Sequence, residues 1–171
     1  GMQALVSPGD RVLVLLPGST PDSTGDLLIR SLARMDVAGH DHGLVDDPKT
    51  ALQAALEVMP DCLVGFPAQI VAMARLQEHL GMHISPSSIL LCSDYVPDSI
   101  IQALESAWPC TVFQHWGSTE TGLGGSVECL ARCGSHLRAL DLLVEILDPE
   151  SLTPLAHGQW GEIVVTTLGR E

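Results

Sequence analysis

Apolar positions along this chain follow two alternating rhythms. After the turn signal Pro8-Gly9-Asp10, the run Arg11-Val12-Leu13-Val14-Leu15-Leu16 is short and unbroken, the pattern of a strand buried on both faces. Pro17-Gly18-Ser19-Thr20-Pro21 interrupts it. Ser23 followed by Asp26 has the form of a helix capping box, and Leu28, Leu32 and Met35 then recur at helical spacing. Asp47-Pro48 predicts a second cap, ahead of a stripe of Leu52, Ala55, Leu56 and Met59. Cys62-Leu63-Val64 reads as a strand and Gly65-Phe66-Pro67 as its exit turn. Ile70, Val71, Ala74 and Leu80 form a helix that Gly81 stops. Residues 88–92 predict a strand, Pro97 opens a helix carrying Ile100, Ile101, Leu104 and Trp108, and 111–114 returns as a strand.

Strands alternating with helices of roughly 10–15 residues imply parallel pairing through right-handed crossovers. The expected fold is therefore an α/β three-layer sandwich with a mainly parallel sheet of about five βα units. Past Gly117 glycines cluster, and 142–147 and 162–167 read as strands with no long helix between them. The expected organisation is an α/β nucleotide-binding subdomain over 3–125 and a β-rich continuation of the same domain over 126–171. Gly1-Met2 reads as a cloning remnant and is set aside. Asp41, Asp46 and Asp47 with His40 and His42 are expected to be a solvated loop between strand and helix. In open parallel sheets ligands sit beyond the carboxyl ends of the strands. The turns 65–67, 93–95 and 115–120 should consequently meet along one rim.

A formal net charge of −13 repels phosphate backbones, which argues against nucleic acid as a partner. A nucleotide remains compatible, because Mg²⁺ and backbone N–H groups hold phosphates without a basic patch. No apolar run approaches the roughly 20 residues of a membrane span, so no membrane association is expected. Five cysteines, an odd number scattered through apolar segments, fit reduced thiols in a cytoplasm better than a disulfide framework.

The densest chemistry lies in His115-Trp116-Gly117-Ser118-Thr119-Glu120-Thr121-Gly122, just after a strand. An indole face can stack on a flat base, and glycine permits close backbone approach. Hydroxyls such as those of Ser118 and Thr119 can donate to phosphate oxygens, and the Glu120 carboxylate suits Mg²⁺. Taken alone, the stretch could equally be a polar turn.

In its setting, the segment resembles the adenylate-forming (AMP-binding, acyl/aryl-CoA synthetase) superfamily, most closely the phenylacetate–CoA ligase-like branch, over about residues 9–171. Trp116-Gly117-Ser118-Thr119-Glu120 is similar to the family's aromatic-Gly-x-Ser/Thr-Glu motif. Gly161-Glu162-Ile163-Val164-Val165-Thr166-Thr167-Leu168 resembles a strand typical of that branch. Glu128-Cys129, Gly134, His136-Leu137 and 145–150 fall in the branch's order. The resemblance implies that Trp116 packs on adenine, Thr119 contacts the α-phosphate and Glu120 binds Mg²⁺. It also implies that Ser93 and Asp94 border the nucleotide, with Gly117 and Ser118 beside it. Gly65, Phe66, Pro67 and Gly122 would lie near the acid pocket. The implied reaction joins ATP and a carboxylic acid, aryl or small, into an acyl-adenylate, which CoA then converts to a thioester.

Two departures are visible. Cys92-Ser93-Asp94 stands where the family usually has Gly-Ala-Glu, and Trp116 replaces a more usual tyrosine. The family's lysine-bearing phosphate loop, ribose-binding aspartate and C-terminal lid domain are absent from these residues, so the chain by itself is expected to be inactive. Surfaces that ordinarily meet neighbouring subdomains would favour self-association, for instance as a homodimer. Cys129, Cys133 and His136 place two thiols and an imidazole within eight residues. Zn²⁺ takes such ligands, usually four. The same residues could simply be small buried hydrophobes and a turn. Two other readings stay open: transfer of the adenylate to an amine or a carrier-protein thiol, and a non-catalytic α/β binding module.

Overall fold

The computed structural model describes residues 2–122 and 124–169. A seven-stranded sheet runs in the order β2-β1-β3-β4-β5-β6-β7, and a two-stranded sheet β8-β9 follows it. The parallel strands are β1 (Arg11–Leu15), β2 (Ala38–Asp41), β3 (Cys62–Gly65), β4 (Ser88–Leu91) and β5 (Thr111–Trp116). The helices α1 (Thr24–Ala33), α2 (Pro48–Val58), α3 (Pro67–Leu80) and α4 (Asp98–Ala107) connect them in turn. β6 (Ser126–Glu128) and β7 (Ser135–Leu137) extend the sheet antiparallel to β5. β8 (Leu142–Leu147) and β9 (Glu162–Thr167) pair antiparallel along their full length. The expected α/β architecture with a β-rich end is the one observed.

Topology decides which face each helix covers. The chain steps one way from β1 to β2, then reverses and steps the other way through β3, β4 and β5. Crossovers keep one hand, so reversing direction changes the face. Accordingly α2, α3 and α4 pack with Leu13, Leu15, Leu63, Ile89, Leu91 and Val112. The alternate residues Val12, Val14, Cys62, Val64, Leu90 and Phe113 point to the opposite face, where α1 is the one long helix among the described residues. Full burial of a Leu, Ile or Val side chain stabilises by about 1.5–3 kcal/mol, so these two layers hold the sheet.

Local signals mostly behave as their chemistry requires. Asp47 accepts from the Lys49 N–H at 2.9 Å with Pro48 at the first turn of α2, and Gly81 ends α3 with φ 64°. Two expectations are corrected. Ser23 precedes α1 without capping it: its hydroxyl donates to the Thr20 carbonyl at 2.6 Å, and Asp26 accepts from the Asp22 N–H at 2.8 Å. The stretch containing His40 is an edge strand, β2, paired only with β1, and not a loop. At a sheet edge one neighbour suffices, so the apolar pattern that marks a central strand is not needed. Among the described residues no helix is long and apolar enough to cross a membrane.

Candidate functional site

Parallel register brings the three sequence-predicted turns to one edge. Gly65 and Leu91, which end β3 and β4, stand level with Gln114, two residues before β5 ends at Trp116. Gly65-Phe66-Pro67, Ser93-Asp94 and the segment from Trp116 therefore leave from adjacent strand ends. Ser93 turns with φ 68°, a left-handed conformation that residues other than glycine rarely adopt. Asp94 accepts from the Tyr95 N–H at 2.8 Å, and Tyr95 projects into solvent.

The connection between β5 and β6 is pinned from inside. Thr121 is buried; its hydroxyl accepts from the Ser118 N–H and donates to the Ser118 carbonyl, both at 2.9 Å. Gly122 N–H donates to Thr119 at 3.2 Å, and Gly125 N–H to Trp116 at 2.9 Å. Folding the loop on these bonds leaves Ser118, Thr119 and Glu120 exposed on its outer side. The Glu120 carboxyl is held below the usual carboxylate range by the Ser118 hydroxyl and by its own backbone N–H, so it is ionised at neutral pH. Trp116 is part-exposed at 39%, and its indole lies over Gly125, where any Cβ would overlap the ring. An aromatic face, two hydroxyls and an ionised carboxylate thus follow one another along the rim. Such a row can take a base, a phosphate and a hard cation.

Beneath the rim, on the α1 face, lies a cavity of about 390 Å³. Leu16, Leu28, Val64, Leu90, Val127 and Leu137 give it apolar walls. Ser93, Gly124 and Gly125 connect it to the rim, and His115, His136 and Arg138 also line it. Gly65, Phe66, Pro67 and Gly122 lie outside this lining. Gly65 is a packing residue, since a Cβ there would stand 2.9 Å from that of Leu15. Phe66 packs on the α1-side core and Pro67 begins α3.

Glu128 fixes the far wall. It is buried and accepts from the Gln114 N–H at 2.8 Å, tying β6 to β5. His115 sits between two glycines: a Cβ on Gly117 would come 3.1 Å from its Cε1, and one on Gly124 would come 2.8 Å from its Nε2. The two glycines leave the space that the imidazole fills.

Cys129, Cys133 and His136 do not assemble. Among the described residues no three His, Cys, Asp or Glu side chains form a group able to hold a metal ion. Cys133 is exposed in the β6–β7 turn, beside an Arg132–Glu105 ion pair of 2.7 Å, whereas His136 sits opposite Val127 on β7 and lines the cavity. Thr121, Leu28 and Arg138 were not legible as site residues in the sequence. The Ser118-to-Thr121 spacing is a hydroxyl-turn signal for the first. Nothing local marks the other two, which meet the site only through topology.

A model of AMP-binding enzymes matches residues 2–169. No curated protein sequence matches the chain. A solved 2-hydroxyisobutyryl-CoA ligase, in complex with 2-HIB-AMP and CoA, superposes with a TM-score of 0.85 at 16% identity, over 99% of this chain and 37% of that one. A long-chain-fatty-acid-CoA ligase from Archaeoglobus fulgidus gives 0.76 at 13%, over 95% and 35%. VinN gives 0.72 at 21%, over 97% and 42%. The chain thus spans well under half the length of each of these proteins.

Proposed function

Because the chain belongs to the AMP-binding enzyme family, we propose that it is the central nucleotide-binding segment of an acid–CoA ligase of the phenylacetate–CoA ligase-like branch. The observation that carries this reading is the shared rim of β4 and β5, where an exposed indole and an ionised carboxylate stand above a mostly apolar cavity. In the proposed reaction the acid's carboxylate attacks the α-phosphate of ATP, pyrophosphate leaves, and CoA thiol then displaces AMP.

Each residue has a part in that scheme. Trp116 offers its face to adenine, with Ser93 and Asp94 along the purine's edge. Ser118 and Thr119 donate to the phosphates. Glu120 would hold Mg²⁺, which typically binds one or two carboxylates together with substrate phosphates and supplies charge neutralisation there. Glu120 fits the role because it is exposed, ionised and made of hard oxygen donors. Among the described residues Cys129, Cys133 and His136 form no group able to hold a metal ion, so zinc has no part in this scheme. The cavity under the rim would receive the body of a small or aryl acid and leave its carboxylate at the mouth. One carboxylate and its cation are too few to stabilise the transferring phosphate, so turnover is assigned to a longer protein containing this chain.

Pyrophosphate release that depends on ATP, measured with such a protein across aryl and short-chain acids, tests the reading. Glu120→Ala should lower the rate by about 10²–10³-fold, the scale for loss of one preorganised charge-stabilising group. Wild-type turnover in that variant would remove the metal role, and no pyrophosphate release with any acid would remove the ligase reading.

A further inference from the structure

The lining of the cavity is electrostatically selective. The chain carries 21 Asp and Glu residues against 8 Lys and Arg. Yet among the described residues the cavity is lined by no carboxylate, and by His115, His136 and Arg138. Arg138 is held at 2.8 Å by Asp141, which lines a neighbouring cavity and not this one. The two imidazoles come from the strands on either side of β6, both in register with Val127. His115 is wedged between Gly117 and Gly124, with its Nε2 edge toward Gly124, itself a lining residue. His136 lines it from the solvent-exposed strand β7. Thr24, Ser31, Ser93 and Ser126 add hydroxyls, and Leu16, Leu28, Val64, Leu90, Val127 and Leu137 supply most of the apolar wall.

We infer that the acid taken by this cavity is compact and carries a hydroxyl or oxo oxygen on its body, which His115 and His136 engage. This rests on the acid-pocket reading above. A volume of about 390 Å³ lies toward the small end of ligand sites, which suits a branched short acid or a single ring. Either tautomer of an imidazole can pair with a hydroxyl, and an N–H can donate to an oxo group. A methyl group in the same place pairs with neither. A site built to hydrogen-bond a substrate oxygen rejects the analogue lacking it far more strongly than an apolar pocket rejects a missing methylene.

The test uses this chain with ring-labelled histidines and matched pairs of acids: 2-hydroxyisobutyrate against pivalate, and 3-hydroxybenzoate against 3-methylbenzoate. Titrations are followed by imidazole resonances. The oxygenated member of at least one pair should bind at least about tenfold more tightly and shift the His115 and His136 signals, in keeping with the discrimination that hydrogen-bonding sites achieve. His115→Phe and His136→Leu, each checked for folding by circular dichroism, should reduce that preference while weak apolar binding persists. Leu28→Trp, filling the cavity from α1, should abolish binding of both members. Equal affinity within each pair, a preference that survives both histidine substitutions, or no binding at all would overturn the inference. Pyrophosphate release by the longer protein separates the two ideas. Turnover without preference leaves the ligase reading standing alone, and binding preference without turnover with any acid leaves the cavity's chemistry standing alone.

Discussion

Replacing Ser93 with glycine removes a side chain from the rim and should nonetheless make the protein more stable. The residue turns with φ 68°, where an L side chain brings its Cβ against the following carbonyl. That conformation costs about 1–2 kcal/mol for a residue other than glycine. Glycine relieves it, but its greater freedom in the unfolded chain takes back about 0.4–1 kcal/mol. The net expected gain is about 0.5–1 kcal/mol, or roughly 1–4 °C in Tm for a chain of this size. Ser93→Ala keeps the Cβ and should gain nothing. Gly81→Ala runs the same experiment backwards at φ 64°, where an added Cβ meets no atom within 4 Å. It should lose about 0.5–1 kcal/mol, the same strain less the same unfolded-chain offset. Urea titration and thermal unfolding of the four proteins supply the measurement. If Gly81→Ala falls as expected while Ser93→Gly fails to rise, the rim is not strained and the argument from its dihedral angle is wrong.

Gln77→Leu should be among the costliest single changes in the helical layer. The buried Gln77 Oε1 accepts from Ile84 N–H at 2.9 Å and from Trp108 Nε1 at 3.0 Å, so the substitution strands two donors at about 1–3 kcal/mol each. A loss below about 1 kcal/mol in urea would show that these bonds are easily replaced. Burial pushes the Cys62 and Cys92 thiols up to about 12 and that of Cys110 up to about 11. A thiol reagent applied to the native protein should label Cys129 and Cys133 quickly and the other three only on unfolding. The same shifts set a sign for pH. Their contribution is complete below the unfolded thiol pKa of about 8.5 and is lost as pH rises toward the folded values. The urea midpoint should therefore be lower at about pH 10 than at neutrality, and an unchanged midpoint would contradict the buried-thiol assignment.

What could be read from the residues divides along physical lines. β8 and β9 span the same residues, 142–147 and 162–167, that the sequence predicts as strands, and the central strands β1, β3 and β4 announce themselves because both faces are covered. β2 was missed because an edge strand of Ala38, Gly39, His40 and Asp41 needs only one paired neighbour and little burial. The Ser23 capping signal misled because Asp26 reaches the Asp22 N–H and the Ser23 hydroxyl reaches Thr20. The rim turns were legible because parallel strands send their exits to one edge. The cavity was not: Leu28, His115, His136 and Arg138 share no spacing, and they meet only because one reversal of strand order leaves α1 as the one long helix on its face among the described residues.

That reversal splits each central strand into two populations of residues. Leu63, Ile89 and Leu91 look toward three helices, while Val64, Leu90 and Cys92, one position away, look toward α1 and the cavity. Tolerance to substitution should alternate with a period of two along β3 and β4. Changes on the first set would register as lost stability, and changes on the second as a different choice of small molecule. Selection could thus retune what the rim serves by editing every other residue, without touching the side that keeps the sheet folded.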